Sequence, residues 1–159
     1  MKNKALIISY NNLEKSTSVF KNKKSVLVGG CFDLIHFGHL KFLEKAKEQG
    51  DFLIVALESD EFIKKNKREN SIHNQRERAE VLSSLSMVDL VVLLPYFSIN
   101  KEYFDMVKAI HPKIVAVTEG DPQLENKKKQ AMEVGAEIRE VLTNLKNFST
   151  SNIARVFNL

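Results

Sequence analysis

The chain has 159 residues, 43% of them hydrophobic, with six glycines, three prolines and one cysteine. That length and apolar content suit one packed domain and exclude a disordered or collagen-like chain, while a lone cysteine excludes a disulfide framework or a multi-cysteine metal site. The net charge of +4 suggests nucleic acid only until its placement is read: residues 1–24 hold six Lys and one Glu, and the remainder carries 18 basic against 19 acidic side chains.

The main body of the chain therefore lacks a basic stripe, and no nucleic-acid partner is expected. No apolar run approaches the 18 residues of a bilayer span, so no membrane is expected either. Residues 5–8 are too short for a signal-peptide core. Together these features point to the cytoplasm.

In chain order, residues 1–24 read as an N-terminal extension. Leu13, Val19 and Phe20 are spaced for a short helix on a sheet edge. The domain proper is expected over 25–159. Ser25–Gly30 (SVLVGG) reads as a buried strand that ends on paired glycines. Residues 38–49 read as a helix with Leu40, Phe42, Leu43 and Ala46 apolar, closed by Gly50. Phe52–Leu57 is a second strand. Residues 75–86 read as a helix with Ala79, Val81, Leu82 and Leu85 inward. Strands follow at 88–94, 113–117 and Glu137–Leu142, with helices at 102–110 and 122–134 between them. Ser149 caps a short final helix.

Continuous apolar strands separated by helices predict a parallel sheet covered on both faces. The fold class is α/β: a single Rossmann-like, doubly wound domain with a five-stranded parallel sheet flanked by helices. Ligands in such sheets lie beyond the carboxyl ends of the strands, at the switch point. Attention therefore falls on residues 29–39, 58–68, 95–98, 118–121 and 144–151.

The strongest signal is Gly29-Gly30-Cys31-Phe32-Asp33-Leu34-Ile35-His36-Phe37-Gly38-His39. Composition alone would place an H-x-G-H tetrad somewhere in the chain with a chance of about 0.4%. Paired glycines at a strand end let backbone approach a ligand. Gly38 and His39 open the next helix, whose free N–H groups and positive dipole end favour phosphate. Two imidazoles there can donate hydrogen bonds to phosphate oxygens and stabilise developing charge. The G-x-G-x-x-G of hydride-transfer sites and the P-loop pattern are both absent. A zinc site would need more than two histidines and the loose candidates Asp33 and Asp121, and no metal-ligating residue is assigned.

These residues resemble the nucleotide-binding signature of the HxGH nucleotidyltransferases of the cytidylyltransferase-like superfamily. The form GGCFDLIHFGH is most similar to the heptose-1-phosphate adenylyltransferases and the glycerol-3-phosphate cytidylyltransferases, and the resemblance spans roughly residues 25–155. It implies that His36 and His39 hold the nucleotide's phosphates. It also implies that Gly30, Cys31, Phe32 and Gly38 contact the nucleotide, and that Asp33 orders the loop or assists a metal.

Further matches lie downstream. Lys64-Lys65-Asn66-Lys67-Arg68 resembles a mobile basic loop in similar enzymes, with Lys64 and Lys67 binding the acceptor's phosphate and Lys64 serving catalysis. Arg78 stands eleven residues before Asp89, a spacing those enzymes share, and is a catalytic candidate. Glu119-Gly120-Asp121 resembles a Gly-Gly-Asp turn near the nucleotide. Ser149-Thr150-Ser151 resembles a Ser-Thr-Thr at the triphosphate. One departure stands out: the arginine that cytidylyltransferases carry ahead of that stretch is absent, and Asn144-Leu145-Lys146-Asn147-Phe148 occupies its place. Heptose-phosphate adenylyltransferases lack it too, which favours ATP over CTP.

The resemblance thus implies transfer of a nucleoside monophosphate from an NTP to a phosphorylated small molecule such as a sugar 1-phosphate, with Mg2+ accompanying the nucleotide and a homodimer as the assembly. The alternatives are glycerol-3-phosphate cytidylyl transfer and a non-catalytic nucleotide-binding module on the same fold.

Overall fold

The computed structural model describes residues 4–143. Six parallel strands form one sheet: β1 (Leu6–Ser9), β2 (Ser25–Gly30), β3 (Phe52–Leu57), β4 (Leu90–Leu93), β5 (Ile114–Thr118) and β6 (Glu137–Leu142), in the order β1-β4-β3-β2-β5-β6. Five helices connect them: α1 (Phe37–Lys47), α2 (Asp60–Lys67), α3 (Gln75–Ser83), α4 (Asn100–Ile110) and α5 (Leu124–Glu133).

Two expectations change. The sheet has six strands rather than five, because Leu6–Ser9 pairs with β4 from Leu6↔Leu90 to Ser9↔Leu93. A four-residue edge strand with one buried side chain is too short for its period to show in sequence. The short helix expected there is instead two 3-10 turns, Tyr10–Asn12 and Glu14–Val19. They anchor through Leu13 and Phe20, both buried, while Val19 stays exposed.

The stretch 64–68, read as a mobile loop, is the end of helix α2. Ser59 accepts a hydrogen bond from the Phe62 N–H at 3.1 Å and caps it. Asp60 and Glu61 sit in the first turn and Lys64, Lys65 and Lys67 in the last, each sign complementing the helix dipole. Only Ile63 is buried, so no apolar periodicity marked the helix.

The core lies on both faces of the sheet. Every residue of β3 is buried, and alternate positions of β2 and β3 point to opposite sides. Val26, Val28, Leu53 and Val55 pack with Leu43 and Ala46 of α1 and Leu82 of α3. Leu27, Ile54 and Ala56 pack with Phe20 and with Met106 and Val107 of α4. Burying each large aliphatic side chain contributes about 1.5–3 kcal/mol, which is what holds the strands in place.

The strand order reverses between β2 and β5. β2 pairs with β3 through Gly30↔Leu57. With β5 it is registered only at Val26↔Ile114 and Leu27↔Val115. The sheet parts beyond that point, and the crevice of a doubly wound fold opens there.

Candidate active site

Helix α1 begins at the mouth of this crevice. His36 is its N-cap, and Nδ1 accepts a hydrogen bond from the Gly38 N–H at 3.1 Å. The neutral ring therefore carries its proton on Nε2, which is left as the donor. The Gly38 amide, expected to face phosphate, is engaged by this cap. The His36 and His39 rings stack at 3.8 Å between centroids and 26° between planes.

Burial pushes both imidazoles below their ordinary range. His39 falls to about 4, mainly by desolvation and then by the neighbouring His36. The His39 Nδ1 is sealed from solvent without a well-formed hydrogen bond, although the Leu34 carbonyl acts on the ring and pulls its pKa the other way. The pair is thus neutral at pH 7, a donor set rather than a pair of cations.

Phe32 positions His39. It has a φ of 45°, a region bulky residues seldom occupy, and it is 4% exposed. Its ring lies 5.2 Å from that of His39. A Cβ at Gly30 would meet the same ring at 3.0 Å. Glycine at that strand end therefore makes room for the Phe32 ring.

Beneath the motif lies a polar scaffold. Arg78, expected at the reacting phosphates, is 1% exposed and turned inward. Nε donates to the His73 carbonyl, Nη1 to the Cys31 carbonyl, and Nη2 to the Glu58 carbonyl at 2.9 Å and to Asp60 Oδ1 at 2.7 Å. In the structure the fork of Arg78 is engaged in joining the ends of β2 and β3 to α2. Asp33 accepts from the Ile72 and His73 N–H groups at 3.0–3.1 Å, and so orders the loop ahead of α3. Gln75 Nε2 donates to the Leu57 and Leu94 carbonyls and ties β3 to β4.

A cavity of about 360 Å³ adjoins Gly29, Gly30 and Cys31 and extends to α4 and α5. Glu58, at the end of β3, reaches into it and is 8% exposed. Its Oε1 accepts from the Tyr103 hydroxyl at 2.9 Å, and Oε2 is buried with no hydrogen-bond partner among the described residues. Desolvation pushes its pKa up to about 7, against smaller opposing effects of Tyr103, Lys127 and Arg78. Cys31 also lines the cavity, and burial raises its thiol pKa, which leaves it a poor nucleophile.

The remaining candidates among the described residues do not line that cavity. Lys64 and Lys67 are exposed on α2, and Lys67 acts electrostatically on both Cys31 and His39. Glu119 and Gly120 are exposed in the turn after β5, with Gly120 at φ +72°. Asp121 pairs with Lys127 at 2.6 Å and accepts from the Gln123 N–H, so it braces the start of α5. Ser149, Thr150 and Ser151 lie outside the described residues. Sequence reasoning placed Glu58 and Asp60 only within the stretch 58–68, with no role for either, and it missed Tyr103. A carboxylate placed directly after an unbroken apolar strand is the signal that would have found Glu58.

No three His, Cys, Asp or Glu side chains gather into a metal cage among the described residues. The oxygens of Asp33 and Asp60 are already engaged. A Mg2+ ion does not fit a protein-only site here and would be held chiefly by substrate phosphates.

Residues 27–155 match the protein family described as Cytidylyltransferase-like. The chain is 38% identical over 112 residues to the bifunctional protein HldE of Aliarcobacter butzleri, an overlap of 69% of this chain and 23% of that one. It is 42% identical over 97 residues to the FAD synthase of Thermococcus sibiricus, covering 61% and 64%. The chain thus spans under a quarter of the first relative and just under two thirds of the second. The crystal structure of the lipopolysaccharide core biosynthesis protein from Thermoplasma volcanium superposes with a TM-score of 0.62 at 22% identity, over 77% of this chain and 96% of that one. That likeness is one of fold.

Proposed function

Because the chain belongs to the cytidylyltransferase-like family, we propose that it transfers a nucleoside monophosphate, from ATP in preference to CTP, to a phosphorylated small molecule such as a sugar 1-phosphate, with release of pyrophosphate. The observation that carries this reading is the stacked His36–His39 pair at the N-terminus of α1, set at the crevice where β2 and β5 part.

In this reading an oxygen of the acceptor's phosphate attacks the α-phosphorus. The new P–O bond forms as the bond to the bridging oxygen breaks, and pyrophosphate leaves with the electron pair. The attacking oxygen is already anionic at neutral pH, so no general base is needed. The work is positioning and charge stabilisation. His36 donates from Nε2 to the α-phosphate, and His39 stacks beside it. Lys64 and Lys67 bring positive charge to the acceptor's phosphate. Arg78 is a positioning residue that fixes the Cys31 carbonyl and α2. Gly30, Cys31, Phe32 and the turn 119–121 border the nucleotide, and Ser149–Ser151 complete the triphosphate site. Mg2+ enters with the nucleotide, where it would neutralise charge on the phosphates. A homodimer and a cytoplasmic setting belong to the same reading. No helix among the described residues is long and apolar enough to cross a membrane.

Pyrophosphate release from ATP or CTP, each paired with a hexose 1-phosphate, glycerol 3-phosphate or FMN, tests the proposal. ATP with the sugar phosphate is expected to turn over fastest. His36→Ala and His39→Ala are each expected to lower kcat about 10²- to 10³-fold while changing nucleotide affinity far less. Full activity in both variants would overturn the assignment. Nucleotide binding with no pyrophosphate from any pair would instead identify the non-catalytic module that the missing arginine before Ser149 leaves open.

A further inference from the structure

The cavity that adjoins Gly30 and Cys31 has a chemistry of its own. Glu58 is held there on every side but one. Its backbone N–H donates to the Gly30 carbonyl at 3.0 Å, and its own carbonyl receives Arg78 Nη2. The Tyr103 hydroxyl fixes Oε1, so the carboxylate keeps one orientation. Oε2 alone is left, buried and without a hydrogen-bond partner among the described residues. A buried polar atom held this firmly and left open is the mark of a site built for a donor that arrives with a ligand.

We propose that this cavity is the acceptor pocket, meeting the nucleotide along Gly30 and Cys31, and that Glu58 is its specificity-determining residue, where Oε2 accepts a hydrogen bond from a hydroxyl of a polyhydroxylated acceptor phosphate. This deepens the nucleotidyl-transfer reading and rests on it for the identity of the acceptor site. The surroundings decide between a hydroxyl and an ammonium donor. The amides of Asn66, Asn100, Gln123, Asn126 and Gln130 line the same cavity. Each can donate and accept, which matches the dual character of hydroxyl groups. Lys127 also lines the cavity and acts electrostatically on Glu58. That ammonium is paired with Asp121 at 2.6 Å, so the choice of a hydroxyl over an ammonium donor rests on the amides.

The test is a cycle of enzyme and ligand variants. Pyrophosphate release is measured for the native chain and Glu58→Gln with a hexose 1-phosphate, each of its monodeoxy analogues and phosphoethanolamine. Glu58→Gln is expected to raise the KM for the hexose phosphate about 10- to 100-fold and to leave the KM for ATP and kcat nearly unchanged. One monodeoxy analogue should lose the same factor on the native chain and lose nothing more on the variant. Preference for phosphoethanolamine, or the absence of any such coupled hydroxyl, overturns the proposal. Calorimetric binding of the hexose phosphate in the presence of a non-hydrolysable ATP analogue separates the two readings. Glu58-dependent binding without turnover would leave this inference standing and remove the transferase reading. Turnover with a KM indifferent to Glu58→Gln would do the reverse.

Discussion

Two regions meet at the carboxyl end of the sheet, and they treat buried polar groups in opposite ways. Between α2 and α3, Arg78, Asp33, Asp60 and Gln75 engage one another, backbone carbonyls and backbone N–H groups. Beside it, His39 Nδ1 and Glu58 Oε2 are sealed from water without a well-formed hydrogen bond among the described residues. An unsatisfied buried polar atom costs about 1–3 kcal/mol. The contrast teaches where the molecule is built for itself and where it is built for a ligand. The scaffold region is saturated, whereas one open atom sits in the first turns of α1 and the other directly after β3.

The largest expected effect breaks the saturated region. Arg78→Ala leaves Asp60 and three backbone carbonyls without their donor and should lower stability by about 3–5 kcal/mol in urea unfolding. Arg78→Lys should recover only part, since an ammonium cannot fork across the same acceptors. A loss under about 1 kcal/mol would erase the distinction between the regions.

The open region should respond with the opposite sign. The pKa of Glu58 near 7 in the folded chain exceeds its ordinary 4.5. Its contribution to stability is therefore present below pH 4.5 and lost as pH rises through 7, a change of about 3 kcal/mol. Glu58→Gln should then unfold at higher urea than the native chain at pH 8, with the advantage gone by pH 4.5. His39 runs the other way: its contribution is present above pH 6.5 and lost as pH falls toward 4. Equal midpoints for Glu58→Gln and the native chain at pH 8 would show that Glu58 bears no desolvation cost. The smallest effect sharpens the boundary between the regions. Ser59→Ala removes the cap of α2 and should cost about 1 kcal/mol, read in the same unfolding experiment.

What the sequence disclosed follows from what each side chain is buried against. β2 and β3 were legible because both faces of each are covered, which makes the strands unbroken apolar runs. β1 and α2 were not, since one edge residue and one Ile63 carry no period. In α3, Val81 reads as core yet is 42% exposed, while Arg78 takes an inner position at 1%. Charge says surface unless the carbonyls that will surround it are known, and those come from β2, β3 and the loop before α3. The histidine pair was legible because its function is local, within four residues of one helix start. Glu58 was not, because its meaning depends on Tyr103 and on a cavity closed by helices far away in sequence.

The brief registration of β2 with β5 makes the sheet a pair of unequal leaves. β1, β4, β3 and β2 are laced by ladders of four to six residues, and β5 and β6 by a ladder of their own. The seam between the leaves has registered pairs at only Val26 and Leu27. The smaller leaf, carrying Gly120, Asp121 and Lys127, is therefore tied to the histidine-bearing leaf chiefly by side chains: Ile114 and Ala116 share one buried cluster with Val26, Val28 and Leu43, so apolar packing and not the ladder holds the two leaves together.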